Sequence, residues 1–340
     1  VYDEVTLSEA LFFSDPDGAA GPQPPECDPL KAGRYLCDVI GNRLTSSVGY
    51  SLASSTHNNA LRPSAGERLL FSQDFAGLGG DTRYLRSRLS GAKYWNVFNN
   101  FIFSLSLEGG YIHSFEEGDV DTDPVRLTDR FFLGSPQIRG FDIRGVGPRI
   151  QRRFYLTDAD GDAILDDDGN PTFNDDPNSI IDDAIGGRAY YLGRAELEIP
   201  LGSGARDLGL RPSVFVDIGA VFGVRTPATT DIPPGDPRLF TPILDANGSQ
   251  QCTTGGSTPV VTPIPPSGMC PTGSDLLQVQ TLQPFREFFL GDSASPRLSV
   301  GFGVNWNSPF GPFRIDIAKA LLSEPGDDTK LFTFNVGTAF

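Results

Sequence analysis

Apolar residues alternate with charged or small ones over about ten segments of roughly 9–15 residues, the length with which a tilted strand crosses a bilayer. In 101–112, Phe101, Phe103, Leu105, Leu107 and Tyr111 share one face, with Ser104, Ser106, Glu108 and Gly110 on the other. In 189–201, Ala189, Tyr191, Ala195, Leu197, Ile199 and Leu201 oppose Arg188, Arg194, Glu196 and Glu198. Residues 213–224 set Val214, Val216, Ile218, Ala220 and Phe222 against Asp217, Gly219 and Gly223. Residues 297–306 set Leu298, Val300, Phe302, Val304 and Trp306 against Arg297, Ser299, Gly301, Gly303 and Asn305, and Phe332, Phe334, Val336 and Phe340 align in the last segment. Weaker alternation marks 1–13, 42–54, 67–76, 82–95 and 313–321. A two-layer sandwich or a propeller would bury one of these faces dry, and unpaired charges near mid-strand are costly there. In a wide barrel the same charges meet water or one another while their neighbours meet lipid. The expected fold is all-β, a transmembrane antiparallel β-barrel.

The connections agree. They are short after 42–54, 82–95, 189–201 and 297–306, whereas 14–38, 115–187 and 225–294 are long. Long extracellular loops opposite short periplasmic turns are usual in outer-membrane barrels. Tyr94, Trp95, Phe98, Trp306, Phe310 and Phe313 gather beside the short turns, where an interfacial aromatic girdle belongs. A chain ending in Phe340 at the periplasmic rim puts the long loops outside, in the bacterial outer membrane. The net charge of −16 opposes nucleic-acid binding, and its Asp excess sits in the loops. Cys27/Cys37 and Cys252/Cys270 are local pairs in Pro/Gly-rich stretches without zinc spacing, and two disulfides are expected. No basic and apolar leader opens the chain, which reads as a mature product or a fragment.

Three segments then resemble the BamA family of POTRA-bearing outer-membrane barrels. Gly134-Ser135-Pro136-Gln137-Ile138-Arg139-Gly140-Phe141 is similar to the family's RGF motif at the tip of the sixth extracellular loop, with Ile138 for the usual Val and Ser135 for a common Gly. Asp183–Arg188 with Ala195–Pro200 is the second segment. The third is Gly301–Asp316 with Phe334–Phe340. The resemblance implies about the last ten strands of a sixteen-stranded barrel, with POTRA domains and opening strands absent. It implies that 115–187 folds into the lumen and that Arg139, Gly140 and Phe141 are anchored by acidic residues. Glu198 and Asp217 occupy the inward parity of adjacent strands and are the expected acceptors. A planar guanidinium suits paired carboxylates, and Lys is a poor substitute.

The same resemblance implies a non-enzymatic factor that inserts other barrels. Substrate strands are templated at a seam between first and last strands, the latter carrying Phe334, Val336, Gly337 and Phe340. The implied partners are nascent outer-membrane proteins, Bam lipoproteins, and outer-membrane lipid with lipopolysaccharide. A TamA-like or two-partner-secretion translocator shares the motif, whereas a passive porin lacks it. No cofactor is expected beyond possible calcium at Asp158, Asp160, Asp162 and Asp166. There, alternating oxygen ligands suit the ion, but Ala163 replaces the expected Gly and Gly169 the expected Glu, so a solvated acidic loop is the competing reading. Neither His57 nor His113 accompanies a recognisable nucleophile motif. The Asn247-Gly248-Ser249 sequon has no meaning in a bacterial outer membrane.

Overall fold

The computed structural model describes residues 2–14, 26–59, 62–98, 100–118, 122–159, 161–201, 209–254, 260–265, 268–308 and 311–336. Ten antiparallel strands form one sheet in nearly sequential order. They are β1 (Tyr2–Val5), β2 (Gly41–Ser55), β3 (Gly66–Gly80), β4 (Tyr84–Asn96), β5 (Ile102–Ser114), β6 (Ala189–Glu198), β7 (Leu210–Phe222), β8 (Arg297–Ser308), β9 (Gly311–Leu322) and β10 (Phe332–Val336). Each strand pairs with the next in the chain, so the sheet is a meander. Several strands have 12 to 15 residues, longer than the roughly 9–11 that a tilted crossing needs.

Alternation sorts the side chains. On β7, Val214, Val216 and Ile218 are exposed, whereas Ser213, Phe215, Asp217 and Val221 are buried. The exposed face continues through Val48, Leu52, Leu69, Leu89, Leu107, Phe302, Ile317 and Phe334. An apolar surface of this extent on a monomer marks contact with something other than water, and here it is the lipid face. Trp95 stacks with Phe103 at 5.5 Å, and Trp306 lies 5.7 Å from Phe313, both toward the short-turn rim. Phe310 lies outside the described residues.

The face of the sheet opposite the exposed apolar one is covered. Val125, Phe131, Leu133, Ile138, Phe141 and Val146, all from the long connection between β5 and β6, pack against Ala76, Tyr84, Ile112, Leu192 and Val221 of the wall. This connection supplies the main hydrophobic core. Beyond the rim, a four-stranded sheet joins Asp231–Ile232, Phe285–Leu290, Arg149–Phe154 and Ile181–Ala184. Both disulfides form, Cys27–Cys37 and Cys252–Cys270. The first staples two helical turns, Pro29–Ala32 and Arg34–Cys37, to which Arg152 donates at the Leu30 and Lys31 carbonyls (2.9 and 3.1 Å).

The expected strand over 1–13 is corrected. Only Tyr2–Val5 joins the wall, and Glu9–Phe12 makes a helical turn closed on the Ser8 carbonyl. Glu-Ala-Leu are strong helix formers, and the alternation lapses at Ser8-Glu9.

Candidate functional site: an arginine clasp inside the wall

The RGF loop reaches its place through a turn in which the Gln137 and Ile138 N–H groups donate to the Gly134 carbonyl (2.9 and 3.1 Å). Gly140 follows with φ of +89°, a conformation that side chains disfavour. A Cβ there would stand 3.1 Å from the Ser299 Cβ and 3.4 Å from the Ala318 Cβ, so the backbone lies almost directly on β8 and β9. Phe141 is fully buried in the core on the inner face of the wall.

This path delivers Arg139, 3% exposed, to the inner face of β6 and β7. Its Nε donates to Asp217 Oδ2 at 2.7 Å and its Nη2 to Asp217 Oδ1 at 2.6 Å, a bidentate pair. Its backbone N–H donates to the same carboxylate at 3.0 Å. Nη1 donates to Glu196 Oε2 at 2.8 Å. The guanidinium plane also lies 3.4 Å from the centre of the Phe215 ring, close enough for strong cation–π attraction. Burial alone would ease deprotonation of this loop arginine. Hydrogen bonds and charge from Asp217, with the charge of Glu196, outweigh that and hold its proton more firmly than usual.

Glu196 is shared. Arg314 Nη2 donates to it at 3.1 Å, while Arg314 Nε donates to Asp316 at 2.9 Å, and the Ser213 hydroxyl donates to Glu196 at 2.6 Å. The loop is therefore tied to β6, β7 and β9 at once. Below it lies a cavity of about 690 Å³ whose lining includes Arg62, Arg194, Glu196, Glu198, Arg211 and Arg314.

Asp217 takes the position expected from its parity, but the second acceptor is Glu196 and not Glu198. Glu198 instead pairs with Arg62 and lies 3.7 Å from Arg211, one pleat nearer the short-turn rim. Residues two apart on a strand share a face and differ by about 6.8 Å in depth. Parity therefore could not choose between them. Parity does not single out Phe215, because an aromatic residue on the polar parity runs against the barrel rule. Arg314 and Asp316 lie inside the Gly301–Asp316 segment, whose resemblance assigns neither a role. Phe334 and Val336 are exposed on the outer face of β10, and Gly337 and Phe340 lie outside the described residues.

The Asp-rich turns use their carboxylates internally. Asp158 accepts the Asp162 N–H at 3.0 Å, and Asp166 accepts the N–H groups of Asp168 and Asn170 at 3.0 and 2.8 Å. Asp160 lies outside the described residues, and among those described no three acidic, His or Cys side chains gather as metal ligands. His57 packs edge-on against Tyr94, and His113 against Phe115 at the opposite rim.

Residues 34–340 match the Omp85 superfamily domain. The chain belongs to the Omp85 superfamily. It is 27% identical over 301 residues to the outer membrane protein assembly factor BamA of Neorickettsia risticii (strain Illinois), covering 88% of this chain and 28% of that protein. A SAM50-like protein of Schizosaccharomyces pombe is 26% identical over 193 residues, 55% of this chain and 33% of the relative. This Omp85 chain thus spans about a third or less of the curated relatives it matches. The crystal structure of BamA from Haemophilus ducreyi lacking POTRA domains 1–3 superposes with a TM-score of 0.51 at 19% identity, over 85% of this chain and 41% of that one. That likeness supports the barrel fold. Omp85 barrels of this kind are non-enzymatic proteins of the bacterial outer membrane, and this chain is one of them.

Proposed function

We propose that this Omp85 chain is the working barrel region of a factor that assembles other β-barrels into the outer membrane. The observation that carries the reading is the buried Arg139 clasp to Asp217 and Glu196, which seats an RGF loop against the inner wall. In this reading the loop holds the wall in a shape that leaves the terminal strand β10 weakly attached. A strand edge released there is a template on which an incoming strand adds by β-augmentation. No bond is made or broken. The free energy comes from folding of the substrate, and the barrel lowers the barrier to its insertion.

The long-loop rim faces outward in this scheme. The partners are nascent outer-membrane proteins on the periplasmic side, Bam-type lipoproteins, and the surrounding lipid with lipopolysaccharide. The test is to reconstitute the full-length protein in liposomes and add a urea-unfolded outer-membrane barrel. Folding is followed by heat-modifiable electrophoresis. Faster folding than in empty liposomes is expected. A rate equal to that of empty liposomes, with passage of a soluble passenger instead, would move the assignment to a translocator.

A further inference from the structure

The terminal strand is entered through residues 323–331, and this connection is bonded to the RGF loop. The Lys330 N–H donates to the Gly140 carbonyl at 3.1 Å, Asp142 N–H to the Asp328 carbonyl at 2.9 Å, and Asp328 N–H to the Gly145 carbonyl at 2.8 Å. Phe141 and Thr329 form an antiparallel bridge, and Lys330 Nζ lies 3.1 Å from Asp142 Oδ1.

Behind this ladder stands a dry ion pair, in which Arg297, the first residue of β8, faces Asp327, both side chains being 0% exposed. Nε donates to Asp327 Oδ2 at 3.0 Å. The other donors reach the carbonyls of Gly291 (2.8 Å), Ser293 (2.6 Å) and Ser295 (3.0 Å), and Nη2 also reaches Asp327 Oδ1 at 3.4 Å. Asp327 accepts two further bonds, from Glu324 N–H at 2.7 Å and from Gly147 N–H at 3.3 Å, the latter in the tail of the RGF loop. Three connections therefore meet at one carboxylate. The approach is close: a Cβ on Gly291 would lie 2.3 Å from the Gly147 carbonyl oxygen. A buried pair with nearly every donor and acceptor filled is stable whole and costly when broken.

We propose that Arg297 and Asp327 are positioning residues that latch the lead-in of the terminal strand to the RGF loop. The loop's seat in the lumen and the pairing of β10 with β9 are then released together. The consequence for assembly rests on the seam reading above, whereas the latch itself is tested without substrate. The full-length protein in lipid bilayers is followed by hydrogen exchange. In Asp327→Asn, amides of 140–147 and 328–336 should exchange about tenfold faster or more, with β5 and β6 unchanged. Coupling is reciprocal, so Arg139→Ala should also speed exchange across 328–336.

Protection at 332–336 that stays at the wild-type level while only 324–327 loosens would overturn the latch. If Asp327→Asn does not fold, Arg297→Lys keeps the charge and loses the planar fork. The same exchange pattern at smaller size is then expected, and unaltered protection of 328–336 in that variant overturns the proposal. Raised exchange with normal substrate assembly would leave the latch standing and remove the seam reading.

Discussion

Replacing Arg139 with Ala removes four side-chain interactions at once: the bidentate pair with Asp217, the bond to Glu196 and the stack on Phe215. Glu196 keeps Arg314 and Ser213 as partners. Asp217 is in a worse position, because it is fully buried and retains from this residue only the backbone N–H of position 139. Breaking a buried pair by removing one partner costs about 3–5 kcal/mol, which is roughly a 10²–10⁴-fold shift toward the unseated loop. Loop seating is read by limited proteolysis, since 139 to 153 carries several Arg–X bonds. Arg139→Ala should expose them while the wall strands stay intact, and should slow substrate assembly in liposomes. Arg139→Lys keeps a charge without the fork and should fall between. Wild-type protection of 134–147 in Arg139→Ala would refute the clasp as the loop's anchor. Wild-type assembly with an unseated loop would refute its role in function.

The two glutamates should separate cleanly. Glu196→Gln takes a carboxylate from Arg139 and Arg314 and should cost about 1–3 kcal/mol in loop protection, whereas Glu198→Gln, whose partner Arg62 is half-exposed, should cost at most about 1 kcal/mol. An equal loss for both, measured by the same proteolysis, would contradict the one-pleat assignment. Gly140→Ala must adopt φ of +89° beside Ser299, and should destabilise the seated loop by about 1–2 kcal/mol in denaturant titrations.

The wall was legible because its pattern is physical: lipid on one side and polar contacts on the other impose a period of two. Segments such as 42–54 and 313–321 extend in the structure to Gly41–Ser55 and Gly311–Leu322, since pairing carries a strand past the point where alternation is visible. The clasp was legible in part. Arg139 and Asp217 followed from motif and parity, but depth along a strand is set by register, which pairs Glu196 with Phe215 across β6 and β7. The Arg297–Asp327 pair carried no signal. Arg297 was only the first polar residue of an alternating run, and Asp327 belonged to a short connection whose burial depends on two loops distant in sequence.

Ile112, Leu192 and Val221 turn hydrocarbon toward the inside of β5, β6 and β7, where Phe131, Leu133, Ile138 and Phe141 cover it. A wall finished before that covering arrived would present a wetted, oily inner face, and late docking would require stripping the water from it. Both alternatives oppose the hydrophobic effect. We therefore expect the strands flanking the long connection to zip up around it, so that the barrel is built on its filling. How soon the filling settles then sets how soon the wall is complete.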